Sequence, residues 1–519
     1  MKKILVSSDY FTMNEEKSVY SNILLCNKKF ILLIFTSFLF LAFVTLNLES
    51  KFLGYDDVYE YLAYAQSYFE TGEVRNIAIN PSLPPITTQL GVAYFIFLPL
   101  IIFGASLKTT IFSATIIAHL NLIIIFFLSY KVTRIFCNRT ISRTYCLSLI
   151  LSYPVWAYYG SPLNEGFQTT LFLLGFLLVH KTVTGKWNFQ YAFLFLIIVF
   201  LGYLFRVQTI ILPLALFVFY LVEKKIKKSV MSLSTAAIVV LCAHWFSSLF
   251  IKDFSLTQGL AIHGLTQLQQ AFHSPLKVLV LDIPTKAIGP TLIGTSYFAK
   301  NGNLIYTTIT VLLSGWIAWT SLRLFLMDRK YRILVLCMLG SILFLLISPV
   351  IINRYVSLIL PLLWITLTLG FYRYFRYTHL VILLITLSMT LTRAFFIPPY
   401  VSDLDSPKVD AFKQCVYQYE PILGSDHAHF TYFDLEQKIM TAGYKLESYD
   451  YDSLIYFSRK EPPAQITPKK GFASYFLPRI NMRSGLGIDQ WGYILYVHPQ
   501  SKSFSCFSSV GMEKYQRKF

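Results

Sequence analysis

Apolar runs long enough to cross a lipid bilayer recur along most of this 519-residue chain. A transmembrane helix needs about 20 consecutive, mostly apolar residues, and each run is bounded by charge, proline or glycine. With 55% hydrophobic and 14% charged residues, the chain cannot be an ordinary soluble globule. The sequence therefore predicts an all-α polytopic membrane domain of about eleven transmembrane helices, at 30–48, 110–130, 143–159, 165–181, 190–205, 207–222, 229–250, 304–326, 333–349, 355–372 and 378–397.

The basic residues predict the orientation of these helices. The formal net charge of +18 is concentrated in short clusters between apolar runs, which is typical of cytoplasmic loops and not of a nucleic-acid-binding surface. The stretch Gln89–Gly104 is apolar but short and contains Pro99. Counted as a span, it would place every later cluster on the wrong side, so we leave it out. The main clusters are 131–143, 223–228, 323–332 and 372–377.

Three regions follow from this topology. Residues 1–29 form a cytoplasmic N-terminus, and 30–397 form the transmembrane domain with outer loops at 49–109 and 251–303. Residues 398–519 differ in kind, since short apolar groups alternate with Pro, Asp, Gly and Lys, and they are expected to form a small extracytoplasmic α/β domain. That domain contains Cys415 and Cys506, which could pair in an oxidising compartment.

Charged residues gather at the predicted outer ends of the helices. In hydrocarbon such residues are costly and mark function or pairing. Carboxylates and guanidiniums that face one cavity suit a substrate with a phosphate and a group to be deprotonated. The residues are Asp56, Asp57, Glu165, Arg206 and Arg354.

Each of these residues also has a simpler interpretation. Asp56 or Asp57 could be the N-cap of the helix that follows, Glu165 could cap its own helix, and Arg206 and Arg354 could extend toward lipid headgroups. Their common side of the membrane favours a shared site.

A helix is predicted directly after the acidic pair. From Tyr59 to Phe69, Tyr, Leu and Ala recur at helical spacing, and Thr71-Gly72 is a typical helix stop. The pattern is amphipathic, so we expect this helix to lie on the outer leaflet.

These segments resemble the GT-C superfamily of polytopic glycosyltransferases, which includes the protein O-mannosyltransferases and the aminoarabinose transferases of lipid A. The stretch "DDVYEYLAYAQSYFETG" is similar to their first outer loop, where an acid precedes a Tyr-rich helix that ends in Gly. "SPLNEGFQTT", "GYLFRVQTIILP" and "NRYVSLILPLL" are similar to later segments. The resemblance covers about 50–400, with one departure: Leu83 stands where the aminoarabinose transferases have a basic residue.

The resemblance implies transfer of a sugar from a polyprenyl-phosphate carrier, with inversion, to a lipid, glycan or protein acceptor at the outer face. It implies Asp57 as the base, in preference to Asp56, and Glu165 as a second catalytic or acceptor-orienting acid. Arg206 and Arg354 would hold the phosphate. The other expected substrate-binding residues are Asp56, Tyr61 and Tyr355.

Several alternatives stay open at the level of sequence. No cofactor is required, but Asp56 and Asp57 could supply oxygens to a divalent cation. The motif "DHAH" (Asp426, His427 and His429) has a spacing seen in metal sites, with no further ligands in view. Rival functions are a polysaccharide polymerase or ligase, a transporter or lipid flippase, and a non-catalytic scaffold. A bacterial cytoplasmic membrane is the expected location.

Overall fold

The computed structural model describes most of the helical region and the strands of the C-terminal region. The described residues are 56–74, 90–105, 107–185, 189–251, 277–289, 292, 304–345, 357–372, 375, 377, 379–384, 386–387, 414–415, 422–424, 439–441, 455–458, 473–477, 482–484, 487–489, 493–497 and 502–510. They belong to two compact units. The described part of the first unit falls within Ile116–Ala243 and Leu260–Ile397, and that of the second within Leu48–Thr115, His244–Gly259 and Pro398–Phe519.

Before residue 398 the described chain is helical. Its helices are α1 (Asp56–Thr71), α2 (Ala93–Ile102, beginning with a π-helical turn), α3 (Leu107–Phe136), α4 (Arg139–Ile150), α5 (Tyr153–Tyr159), α6 (Asn164–Thr184), α7 (Phe189–Phe205), α8 (Val207–Val222, beginning with a 3₁₀ turn), α9 (Ile226–Ser248), α10 (π-helical at Val278–Asp282 and Pro284–Ile288), α11 (Leu304–Met327), α12 (Arg329–Phe344) and α13 (Leu360–Tyr372, after a 3₁₀ turn at Ser357–Ile359).

Four of these helices are long and apolar enough to cross a membrane: α3, α6, α9 and α11. Large apolar side chains on α9 and α11 are exposed, among them Trp245 and Leu312, as expected for surfaces that face lipid. The predicted span 30–48 and most of 378–397 lie outside the described residues, so the count of eleven crossings stays a prediction.

One predicted span is two helices. Residues 143–159 are divided between α4 and α5, which are separated at Leu151–Ser152. Pro154 lies in the first turn of α5, where its missing N–H is harmless, whereas inside a continuous helix it would break a hydrogen bond. The proline therefore explains why one apolar run forms two helices.

Helix α2 shows why Gln89–Gly104 differs from the long apolar runs. Its ten residues from Ala93 to Ile102 extend only about 15 Å at 1.5 Å per residue, half the thickness of the hydrocarbon core. The chain then turns at Gly104, which has a positive φ of 75°. A short apolar helix that stops at a left-handed glycine cannot cross the bilayer.

Helix α1 ends where the sequence predicts, and its side chains differ in exposure along its length. It ends at Thr71, and Gly72 has a positive φ of 73° with its N–H bonded to the Tyr68 carbonyl at 2.8 Å, as the sequence predicts. From Tyr61 to Ala65, however, every side chain is covered by protein. Phe69, in contrast, is 54% exposed, so α1 has a buried middle and an exposed last turn, and its position on the outer leaflet stays a prediction.

In the first unit, one acidic residue links the end of α8 to the start of α12. Glu223, at the end of α8, contacts Arg329 at 2.5 Å and Arg332 at 2.6 Å, both in the first turn of α12. Its carboxylate is nearly buried. All three residues come from sequence clusters predicted to be cytoplasmic, so much of their charge is used to hold α8 against α12.

The described C-terminal region contains strands and one helix. Strand β1 (Ile422–Gly424) is parallel to β2 (Ile439–Thr441) and β3 (Ile455–Ser458), and β7 (Tyr493–Val497) is antiparallel to β3 and β4 (Ala473–Leu477). The sheet order is β2-β1-β3-β7-β4. Strands β5 (Met482–Ser484) and β6 (Gly487–Asp489) form a separate pair, and α14 (Lys502–Ser509) follows. Cys415 and Cys506 form a disulfide, which settles the pairing that the sequence left open.

Candidate functional site

The site is built around a break between two helices of the first unit. Helix α7 ends at Phe205, and Arg206 adopts an extended backbone, with φ −156° and ψ 131°, before the 3₁₀ turn that begins α8. The break is bonded on both sides: the Arg206 N–H donates to the Gly202 carbonyl at 2.9 Å, and the Thr209 N–H donates to the Arg206 carbonyl at 3.2 Å. Arg206 is therefore held at a fixed point in the chain.

The Arg206 side chain forms an ion pair with Glu165. Its Nη2 donates to Glu165 Oε1, and the two residues are only 7% and 2% exposed. A guanidinium that extended to lipid headgroups would be open at its tip. The burial therefore excludes that simpler interpretation for Arg206.

Glu165 lies in the first turn of α6. The first four N–H groups of a helix have no partner within it and favour a negative charge nearby. The Leu163 N-cap makes no side-chain hydrogen bond. A carboxylate at this point is stabilised both by the helix and by the guanidinium.

Polar side chains surround the ion pair in a region that is otherwise apolar. Thr169 Oγ1 donates to the Glu165 carbonyl at 2.7 Å. Tyr159 is buried at the end of the preceding helix, α5, and interacts electrostatically with Thr169 and Glu165. Gln168 Nε2 lies 3.3 Å from the Arg206 carbonyl oxygen and 3.2 Å from Thr209 Oγ1. Apart from the ion pair itself, sequence reasoning missed these residues. The sequence indication for them was the group of polar residues in "NEGFQTT", at the start of an otherwise apolar helix.

A second polar contact lies further along α6. Thr170 Oγ1 donates to Asn121 Oδ1 of α3 at 2.7 Å, and both residues are buried. No partner for Asn121 Nδ2 occurs within the described residues. Polar contacts inside a membrane domain are uncommon and often mark functional positions. The α3–α6 interface is therefore a second candidate position.

The structure brings together two of the seven residues predicted for the site. Asp56 and Asp57 are the first two residues of α1, but their side chains lie outside the described part of the chain. Tyr61 is buried in α1. Arg354 and Tyr355 lie outside the described residues, as do Asp426, His427 and His429.

The described residues contain no cluster of potential metal ligands. Within the described residues, no group of three or more His, Cys, Asp or Glu side chains could hold a metal ion. The side chains of the predicted cation ligands, Asp56 and Asp57, lie outside the described part of the chain. Within the ion pair, the Arg206 guanidinium supplies the counter-charge for the Glu165 carboxylate.

Sequence comparisons and structural comparisons differ in outcome. No protein-family model matches the sequence, and no curated protein matches it either. The structure, by contrast, matches ArnT (aminoarabinose transferase) from Cupriavidus metallidurans bound to undecaprenyl phosphate, with a TM-score of 0.55 and 12% identity over 91% of this chain and 98% of that chain. The apo form of ArnT matches with a TM-score of 0.50 and 12% identity, over 88% of this chain and 97% of that chain.

A second relative in structure is the archaeal oligosaccharyltransferase AglB from Archaeoglobus fulgidus, in complex with an inhibitory peptide and a dolichol-phosphate. It matches with a TM-score of 0.50 and 12% identity, over 91% of this chain and 77% of that chain. ArnT and AglB are both GT-C membrane glycosyltransferases. The protein has the GT-C fold.

The GT-C fold confirms the resemblance predicted from the sequence, and the protein is an integral membrane protein. Sequence identity of 12% establishes architecture and not chemistry. What this chain does with the GT-C fold depends on its own site residues.

Proposed function

We propose that the protein is a membrane glycosyltransferase that moves a sugar from a polyprenyl-phosphate carrier to an acceptor on the outer face of the membrane. One observation carries the proposal: the match to ArnT bound to undecaprenyl phosphate covers 91% of this chain and 98% of that chain. A shared architecture over nearly the full length of both chains supports a shared type of lipid-linked substrate. The acceptor is a lipid, glycan or protein.

The buried ion pair refines the role of Glu165 and Arg206 within this proposal. Removing two charges from water costs several kcal/mol per ion, and the cost is offset only by good geometry and additional hydrogen bonds. A guanidinium committed to Glu165 has part of its donor capacity in use. Arg206 therefore serves first to hold the Glu165 carboxylate, and it contacts the carrier phosphate only through its other N–H groups.

The remaining roles come from the sequence. Inverting transfer needs a base for the acceptor hydroxyl and cations for the departing phosphate. We propose Asp57 as the base, Glu165 as the second acid, Arg354 as the principal phosphate ligand, and Asp56, Tyr61 and Tyr355 as further substrate contacts. A divalent cation at Asp56 and Asp57 belongs to the same proposal.

The disulfide supports the proposed topology. Disulfides persist in oxidising compartments and are rare in the cytosol, so the pair Cys415–Cys506 agrees with an extracytoplasmic C-terminal α/β domain at 398–519. With the N-terminus inside, eleven crossings and a bacterial cytoplasmic membrane, the domain and the transfer reaction would share the outer side. Membrane lipids surround the protein, and nucleic acid is not a partner.

A transporter or flippase is the second candidate function. A transporter places polar residues within the membrane, and the buried Asn121–Thr170 contact between α3 and α6 is of that kind. Transport predicts that Asn121→Leu abolishes function and that Asp57→Asn is tolerated, while sugar transfer predicts the reverse.

The test is profiling of glycans and lipids in a strain that lacks the protein. Complementation with wild type should restore a glycosylated species, and Asp57→Asn and Glu165→Gln should fail to restore it. Glu70→Gln is the matched control, since Glu70 is an exposed acid on α1 bonded to Gln66, and it should restore the species fully. Full rescue by Asp57→Asn would remove this residue from the mechanism, and an unchanged profile after deletion would refute the proposed function.

A further inference from the structure

Gln168 is a buried polar residue in an apolar helix, next to the Glu165–Arg206 ion pair. It lies on α6 and is only 1% exposed. A buried position of this kind in a membrane helix is ordinarily occupied by Leu or Phe. An amide buried without hydrogen bonds costs several kcal/mol in an apolar medium. A residue kept under such a cost should have specific partners.

Its partners are the backbone and the side chain at the α7–α8 break. Gln168 Nε2 lies 3.3 Å from the Arg206 carbonyl oxygen and 3.2 Å from Thr209 Oγ1. Residues three apart lie on the same face of a helix, so Gln168 and Glu165 both point from α6 toward the break. Glu165 holds the guanidinium of Arg206 while Gln168 holds its main chain.

The break needs this second attachment. The extended backbone of Arg206 interrupts the helical ladder, and its carbonyl accepts a 3.2 Å bond from the Thr209 N–H. Arg206 is only 7% exposed, so bulk water has little access to this carbonyl, and buried backbone acceptors are normally bonded within the protein. An amide donor from α6 both satisfies the carbonyl and fixes the distance between α6 and the break.

We propose that Gln168 is a positioning residue for the transfer reaction, acting through Arg206. By fixing the main chain of Arg206 and the hydroxyl of Thr209, it sets where the guanidinium meets the Glu165 carboxylate and thereby where that carboxylate points. The inference rests on the proposed function and identifies a further determinant of the same site.

The experiment compares the purified wild-type protein with Gln168→Met, which keeps the length and approximate volume of the side chain but removes its amide. The assay measures sugar transfer from a polyprenyl-phosphate sugar, per folded molecule. Loss of one or two hydrogen bonds near the reacting groups should lower kcat about tenfold, with the KM for the donor within about twofold of wild type. Gln168→Glu has the shape but lacks the donor, and it should be at least as impaired.

A double-mutant cycle with Arg206→Lys separates positioning from packing. Lysine removes the planar guanidinium, so Gln168→Met should add less than about twofold to the loss caused by Arg206→Lys. A purely structural role would lower the yield of folded protein and leave kcat per folded molecule unchanged. Unchanged kcat in Gln168→Met, or losses that simply multiply in the double variant, would overturn the proposal.

The same variants distinguish this inference from the proposed function. If wild type transfers no sugar, the proposed function fails, and the cycle is then measured on unfolding midpoints in detergent. Coupling between positions 168 and 206 in those midpoints would keep Gln168 as the residue that fixes Arg206. Additive changes in the unfolding midpoints would show that Gln168 does not fix Arg206.

Discussion

At the scale of single residues, Glu165 and Arg206 show how a membrane protein retains charge in an apolar interior. The pair is stabilised because each charge neutralises the other and because Glu165 lies at a helix N-terminus. In addition, Gln168 Nε2, Thr169 Oγ1 and the Thr209 N–H donate to main-chain carbonyls of the two residues. The chemistry available to the site follows from this arrangement. It offers a carboxylate held in one orientation, and not a mobile cation.

The first prediction concerns the energy of this pair. Arg206→Ala leaves the Glu165 carboxylate buried without its partner, which typically costs about 3–5 kcal/mol. The double variant Arg206→Ala with Glu165→Gln removes the uncompensated charge and should recover at least half of that loss. Unfolding in detergent measures both values. A single variant as stable as the double variant would show that the two side chains do not pair.

The second prediction concerns Cys137, in the loop between α3 and α4. Burial raises the pKa of the Cys137 thiol to about 12, although the nearby cations Arg134 and Lys330 act to lower that pKa. An unfolded thiol ionises near pH 8.5, and only the thiolate reacts with alkylating agents. At pH 8 iodoacetamide should therefore label Cys137 slowly in the native protein and rapidly after denaturation, as read by peptide mass spectrometry.

The sign of the accompanying pH dependence follows from the same shift. The fold favours the protonated thiol, so its contribution to stability is complete below the pKa of the unfolded thiol and is lost as the pH rises toward about 12. Cys137→Ser should lack this alkaline loss. Equal labelling rates before and after denaturation would contradict the burial of this thiol.

At the scale of elements, the α7–α8 break depends on a glycine. Gly202 accepts the Arg206 N–H, and a Cβ at position 202 would lie 2.6 Å from Thr209 Cγ2 and 2.9 Å from Thr209 Oγ1. Thr209 is β-branched and stiff at χ1, so it cannot simply turn away. The bare backbone of Gly202 is what lets the start of α8 fold back onto the end of α7.

The third prediction compares two helical glycines. Gly202→Ala should destabilise the protein by about 1–3 kcal/mol through overpacking, and it should lower transfer activity by displacing Thr209 from Gln168. Gly315→Ala is the matched control: a Cβ there meets no atom within 4 Å, so alanine should stabilise α11 by about 0.5–1 kcal/mol. Thermal unfolding of both variants in detergent gives the signs. Stabilisation by Gly202→Ala would mean that Thr209 adapts easily and that the break is loosely packed.

At the scale of the whole molecule, the sequence predicts the architecture better than it predicts the internal contacts. Spanning length and apolar composition are local properties, and α3, α6, α9 and α11 follow from them. The buried middle of α1 depends on tertiary packing. The division of 143–159 depends on Pro154, a single residue within an otherwise apolar run. The pairing of Glu165 with Arg206 joins residues 41 positions apart, so the sequence could place both on one side of the membrane but could not show that they touch.

The last prediction tests the topology on which the outer-face site depends. Cys415 and Cys506 are 91 positions apart, and a loop of that size should give roughly 4–5 kcal/mol of stabilisation in the chain-entropy account. If the C-terminal region lies outside the cytoplasm, a membrane-impermeant maleimide added to intact cells should label both cysteines only after treatment with an impermeant reductant. Cys415→Ser with Cys506→Ser should abolish that labelling, while the remaining cysteines stay unlabelled in intact cells. Labelling of Cys415 that requires permeabilisation would place this region in the cytoplasm, and the proposed transfer at the outer face would lose its topological support.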